Sequence, residues 1–186
     1  MSRGARGDTL AERNGAPEPV VREAGIGDME AVAGIYAHYV ESGVATFDEE
    51  PRSADAWRAR FKESAELGLP FLVAEVGGEV AGYAGASPWK PKAAYRYTVE
   101  NSVYLAPGRT GGGLGRLLME RFLRACAEAG LKQVVAVIAD TPDGAQGGAS
   151  RALHARLGFT EVGRMERVGY KHGMWVDTVI MQRALG

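Results

Sequence analysis

The sequence predicts a single mixed α/β domain, and three observations carry that prediction. Hydrophobic periodicity along the 186 residues gives the order strand, two helices, three strands, helix, strand, helix, two strands. The pair Gly77-Gly78 between two apolar runs marks a β-hairpin and therefore antiparallel pairing. A glycine-rich stretch from Tyr104 to Gly115 follows the fourth strand. A doubly wound dinucleotide fold would place its glycines after the first strand and alternate strand and helix more strictly. The length suits one well-filled core, with no repeat or inter-domain linker visible.

Residues 1–19 mix Gly, Arg, Glu and Pro without periodicity and are expected to be a disordered extension, the domain occupying residues 20–186. Val20–Glu23 reads as a short strand. Asp28 is placed to cap the next helix, in which Met29, Val32, Ala33, Tyr36 and Val40 share one face. A loop over residues 44–50 leads to Ser53, the expected cap of a second helix with Trp57, Phe61 and Ala65 at four-residue intervals. The hairpin strands cover residues 71–76 and 79–85, and a loop covers 88–94. A long strand from about Tyr97 to Leu105 enters the glycine-rich turn, and a helix over 114–129 leaves it. Residues 133–138 are almost wholly apolar, the pattern of a strand buried on both faces. A pliable stretch over 140–148 precedes a helix over 149–157, which Gly158 ends. Strands over 159–167 and 174–182 complete the sheet around a turn at 169–173.

Composition excludes several classes of function. Lys and Arg number 22 against 23 Asp and Glu, so no charge excess points to nucleic acid or an anionic membrane. No apolar run is long enough to span a bilayer, no signal peptide is recognisable, and a cytoplasmic soluble protein is expected. The single cysteine, Cys126, excludes an intrachain disulfide, agrees with a reducing compartment, and reads as a small core residue rather than a nucleophile. His38, His154 and His172 are too scattered for metal-ligand spacing, so no metal is expected.

The glycine-rich turn carries the first chemical signal. Its glycines let the backbone approach a ligand closely, and the helix start presents unpaired N–H groups to an anion. There is no Gly-Lys-Ser/Thr ending for a triphosphate, and the dinucleotide fingerprint fails at Arg116. A pyrophosphate held by backbone alone remains, and coenzyme A carries one. The strand before the turn places Thr98, Glu100 and Ser102 on one side and Val99, Asn101 and Val103 on the other. A carboxylate in mid-strand is unusual unless paired or functional.

Several segments occur together in order: Ile35–Ser42 with Ala45-Thr-Phe47, Gly85 through Trp89-Lys90, Ala94-Tyr95 with Thr98–Tyr104, Leu153–Phe159, and Gly169–Asp177. From about Val20 to Leu185 the chain thereby resembles the GNAT superfamily of acyl-CoA-dependent N-acetyltransferases, and within it the phosphinothricin and methionine sulfoximine N-acetyltransferases. The resemblance implies a mixed, mostly antiparallel sheet of six to seven strands, flanked by about four helices and splayed between strands 4 and 5. Acetyl-CoA would sit in the splay, its pantetheine arm on a bulged strand end at Val103, Tyr104 and Leu105. The pyrophosphate would rest on Arg109, Thr110, Gly111, Gly112, Gly113, Leu114, Gly115 and Arg116, with Ser150 also at the cofactor.

The resemblance further implies Glu100 as general base, its pKa raised by burial, and His154 as proton donor or relay. Phe47, Lys92, Tyr95 and Tyr97 would bind the acceptor, Lys92 standing where the subfamily usually has arginine. A homodimer with active sites near the interface is also implied. Two positions depart from the pattern: Thr110 replaces the usual Gln or Arg, and Gly147 replaces an asparagine that contacts the cofactor arm. The preferred function is acetylation of a small amino acid or analogue. A protein or peptide N-acetyltransferase and a non-catalytic CoA-binding sensor stay open as alternatives.

Overall fold

Backbone pairing decides where this chain can open, so the strands come first. The computed structural model describes residues 17–144 and 146–186, and the expectation for residues 1–16 lies outside them. Seven strands form one sheet: β1 (Val20–Glu23), β2 (Phe71–Val76), β3 (Glu79–Pro88), β4 (Thr98–Leu105), β5 (Gln133–Asp140), β6 (Thr160–Lys171) and β7 (Met174–Ala184). Their order is β1-β2-β3-β4-β5-β7-β6, and every pairing is antiparallel except β4 with β5. That parallel pair needs a crossover, which the helix between the two strands supplies.

Four helices cover the sheet: α1 (Met29–Ser42), α2 (Ala54–Glu66), α3 (Leu114–Glu128) and α4 (Gly148–Arg156). Tyr36 of α1 and Trp57 of α2 pack with Phe71 and Tyr83 of the sheet as an aromatic cluster. Leu118, Met119, Phe122 and Cys126 of α3 belong to the second cluster, with Val134 and Val179. Cys126 is buried there, and burial pushes its thiol up to about 12, as a core residue requires. Among the described residues no helix is long and apolar enough to cross a membrane.

Several local expectations need correction. Ser53 caps α2 as expected, accepting the Ala56 N–H at 3.2 Å. Asp28 does not cap α1 with its side chain. A 3-10 turn over Ile26–Asp28 sends its carboxylate back to the Gly25 N–H at 2.7 Å and to Arg22 at 2.8 Å. On α2 the inward stripe is Trp57, Phe61 and Ser64, with Ala65 exposed, because the helical period is 3.6 and not four. Strand β5 is not buried on both faces throughout, since Val137 is 39% exposed. The last hairpin turns at His172-Gly173, where both φ angles are positive (49° and 78°), and β6 runs on to Lys171. Between Met165 and Gly169 the register of β6 shifts against β7.

Candidate active site

Strands β4 and β5 pair only from Thr98 with Gln133 to Asn101 with Ala136. Beyond that point β4 continues against β3 to Leu105, and β5 continues against β7 to Asp140. The β5-facing backbone edge of Ser102–Leu105 is therefore open. The register of β4 against β3 has no shift, so the opening comes from divergence of two strands and not from the expected bulge.

Side-chain alternation divides β4 between two cavities. Glu100, Ser102 and Tyr104 line one of about 400 Å³, between β4 and the α1–α2 side. Asn101, Val103 and Leu105 join them in lining the other, of about 540 Å³, which reaches the start of α3 and the inner face of α4. Glu100, Ser102, Tyr104, Val137 and Ala139 belong to both, so the cavities meet at the splay. Val137 is exposed for that reason.

The larger cavity is the cofactor candidate. Val103, Tyr104, Leu105, Thr110, Gly111, Gly113, Gly115, Arg116 and Ser150 all line it. Arg109 and Gly112 are exposed outside it, and Leu114 packs into the core. Thr110, not Arg109, is thus the side chain at the turn's entrance. Gly113 sits at the N-cap of α3 with φ +84°, and no side chain caps the helix. Its first N–H groups are left for an anion. Gly115 lines the cleft, where a Cβ would meet Leu105 and Leu153 in ordinary contact at 3.5 Å. Tyr39 donates its hydroxyl to the Leu105 carbonyl at 2.7 Å and ties α1 to the end of the open edge. These features fit a pantetheine arm laid along a strand edge with a pyrophosphate at a helix start.

Gly147, where the resemblance would have asparagine, is constrained by packing. A Cβ there would lie 2.8 Å from the Ala139 carbonyl and from the Asp140 carboxylate. Its N–H donates to Asp140 Oδ1 at 3.0 Å, while Asp140 Oδ2 meets Arg164 at 3.2 Å and Arg151 at 3.4 Å. The neighbouring Gln146 lines the cleft beside it, its Oε1 accepting the Val44 N–H at 3.4 Å.

Glu100 is half-buried and makes no hydrogen bond or ion pair among the described residues. Desolvation pushes its carboxyl above the usual range, against the pull of Arg60 and Lys90. His154 is 1% exposed. Its Nδ1–H donates to the Ser150 carbonyl at 2.8 Å, which leaves Nε2 to accept from Asn101 Nδ2 at 3.1 Å. Burial pushes its pKa down, so the ring is held neutral. Glu100 and His154 reach the same cleft from opposite faces of β4 and do not touch.

Phe47 lines the smaller cavity and packs on β6, where a Cβ at Gly169 would lie 2.5 Å from its ring. The buried Lys171 donates to the Thr46 carbonyl at 2.9 Å and fixes the same loop. Lys92, Tyr95 and Tyr97 line neither cavity. A 3-10 turn over Ala93–Tyr95 carries this segment onto the surface, and Tyr97 lies under the Arg96 guanidinium at 4.6 Å. The walls instead include Tyr36, Arg52, Trp57, Arg60, Tyr83 and Ser87, which sequence reasoning did not select. One signal was available: Arg60 lies one helical turn from Trp57 on the inward side of α2.

The comparisons agree with this geometry. Residues 32–159 match the model of the acetyltransferase (GNAT) family. A phosphinothricin N-acetyltransferase of Alcaligenes faecalis is 42% identical over 158 residues, 85% of this chain and 78% of that protein. An L-methionine sulfoximine/L-methionine sulfone acetyltransferase of Pseudomonas aeruginosa is 37% identical over 163 residues, 87% of this chain and 92% of the relative. A crystal structure of a phosphinothricin acetyltransferase from Sinorhizobium meliloti in complex with acetyl-CoA superposes with TM-score 0.84 at 40% identity, covering 90% of this chain and 89% of that one. This chain belongs to the GNAT family of acetyltransferases.

Proposed function

We propose that the protein acetylates the amine of a small amino acid or analogue of the phosphinothricin or methionine sulfoximine type, by direct attack. One observation carries this reading: an unpaired, half-buried carboxylate, Glu100, stands where a small acceptor cavity meets the cofactor cleft. Acetyl-CoA supplies the activated acyl group. Glu100 takes the proton of the incoming ammonium, and burial, by raising its pKa, makes it a stronger base than an exposed carboxylate. The open edge of β4 offers backbone donors where charge develops on the acyl oxygen. Cys126 lies in the core with its pKa pushed up to about 12, and no acyl-enzyme is assigned to it.

His154 acts as proton donor or relay for the departing sulfur. Its Nδ1–H is committed to the Ser150 carbonyl, so Nε2 is the nitrogen that takes up and passes a proton, and the Asn101 amide turns to admit it. Thr110, Gly111, Gly113, Gly115 and Arg116 hold the pyrophosphate, and Val103–Leu105 with Ser150 hold the arm. We also infer a homodimer. The exposed apolar side chains Val162, Met165, Val168, Tyr170, Met174 and Trp175 form a ribbon on the β6–β7 hairpin, which also braces the acceptor loop.

Acetyl-CoA-dependent thiol release measured against free amino acids, phosphinothricin, methionine sulfoximine, polyamines and a short peptide tests the assignment. Turnover of one of the small amino-acid compounds is expected. Turnover of the peptide alone would move the assignment to protein acetylation, and binding of CoA without any turnover would leave a sensor.

A further inference from the structure

The acceptor cavity holds a set of groups that the chemistry at Glu100 does not use. Arg60 lines it from α2 and, among the described residues, makes no hydrogen bond or ion pair; its guanidinium lies over the Trp57 ring, 5.8 Å from the centroid. Arg52 in the same wall is committed, its Nε donating to Asp48 at 2.9 Å, and Asp48 also accepts the Tyr36 hydroxyl at 2.8 Å. Two residues beside Arg60 carry buried polar atoms without partners, Trp57 Nε1 and the Tyr83 hydroxyl. These residues are 4% and 0% exposed. Buried donors are almost always satisfied, so two at one cavity wall point to something that meets them.

All three groups can donate: a guanidinium and an indole N–H do nothing else, and a phenol can. What meets them is therefore an acceptor of hydrogen bonds, and beside an unpaired guanidinium it is an anion. Glu100 supplies the complementary unpaired carboxylate in the same cavity. One free cation and one free anion facing a common space are the mirror of a zwitterion.

We propose that Arg60, with Trp57 Nε1–H and Tyr83 O–H, forms an oxyanion subsite that reads the negatively charged group of the acceptor while Glu100 receives its amine. The inference rests on the small-amine reading above. It specifies the acceptor as a compound carrying an oxyanion, a carboxylate or a phosphinyl group, besides the reacting nitrogen. Polyamines, which bring only positive charge, are rejected by the same cation. The planar fork of Arg60 suits two-point binding of such a group, which lysine cannot reproduce.

The test uses three probes: phosphinothricin, 2-aminobutyrate (carboxylate without phosphinyl) and 3-aminopropyl(methyl)phosphinate (phosphinyl without carboxylate). Calorimetric binding in the presence of CoA and initial rates with acetyl-CoA are measured for wild type, Arg60→Gln and Tyr83→Phe. Arg60→Gln is expected to weaken the probes bearing the recognised oxyanion by about 10- to 100-fold in Kd and KM, the scale of hydrogen bonds to a charged group. Tyr83→Phe, which removes a hydroxyl that holds no other residue, is expected to weaken them several-fold. The probe that lacks the recognised group keeps its affinity in both variants, and its identity tells carboxylate from phosphinyl. Unchanged affinity for all three probes in Arg60→Gln would overturn the subsite. So would an equal loss for all three, because Arg60 would then act through Glu100. If wild type binds the probes but acetylates none, the small-amine reading fails while the binding series still decides the subsite. Wild type binding none of them overturns it.

Discussion

Replacing Glu100 by glutamine should separate chemistry from folding. The carboxylate holds no hydrogen bond or ion pair among the described residues, so the isosteric amide leaves no neighbour unpaired. The loss is then the loss of the base, worth about 10²- to 10⁴-fold in kcat/KM, or roughly 3–5 kcal/mol of transition-state stabilisation. Two pH profiles sharpen the test. Wild-type kcat/KM should rise with pH through the elevated pKa of Glu100 and then level, because only the ionised form accepts a proton. In Glu100→Gln the rate should climb instead with the free-amine fraction, about tenfold per unit up to the pKa of the acceptor's own amine.

Stability should move the other way. A carboxyl whose folded pKa lies above its ordinary value of 4.5 costs stability as pH rises from that value through the folded one. At neutral pH the variant should therefore melt at or above the wild-type temperature. Steady-state thiol release between pH 5.5 and 9.5, with calorimetric melting on the same samples, reads both quantities. Activity within about threefold of wild type and an unchanged profile would refute Glu100 as the base.

Gly147→Ala should destabilise the fold by about 1–3 kcal/mol, since its Cβ would sit 2.8 Å from Asp140 and the Ala139 carbonyl, and should weaken CoA binding by calorimetry. Asp140→Ala removes the buried carboxylate shared by Gly147, Arg151 and Arg164; a loss of about 3 kcal/mol in urea unfolding is expected, the low end for a broken buried pair, because Arg164 keeps Asp177 at 2.6 Å. Asn101→Leu strips His154 Nε2 of its partner at 3.1 Å; a loss of about 1–3 kcal/mol in urea unfolding and a fall in kcat larger than any change in KM are expected. Ser53→Ala removes the α2 cap and should cost about 1 kcal/mol with kcat/KM little changed.

Much of this molecule was legible from local signals. The cap at Ser53, the Gly77-Gly78 hairpin, the core position of Cys126 and the open start of α3 depend on residues within a few positions of one another. So does the alternation along β4: a period of two sends Glu100 and Ser102 one way and Asn101 and Val103 the other, whatever the rest of the chain does. Short-range inference failed where a local geometry replaced the expected one. The 3-10 turn took the Asp28 side chain from α1, and His172 accepted a left-handed backbone that moved the last turn.

The sequence by itself determined the order of elements, the glycine-rich turn with its uncapped helix start and the placing of a lone carboxylate on the strand before it, because these follow from periodicity and backbone chemistry. Only the tertiary structure decided what faces that carboxylate. The four-residue pairing of β4 with β5 sets where the sheet opens. The packing of α2 brings Trp57 and Arg60 to the cavity that Glu100 also lines, and the fit of Asp140 against residue 147 excludes a side chain there. Each is a contact between residues far apart in the chain, fixed by mutual exclusion of volume and pairing of buried polar groups, which the residues near any one position do not encode.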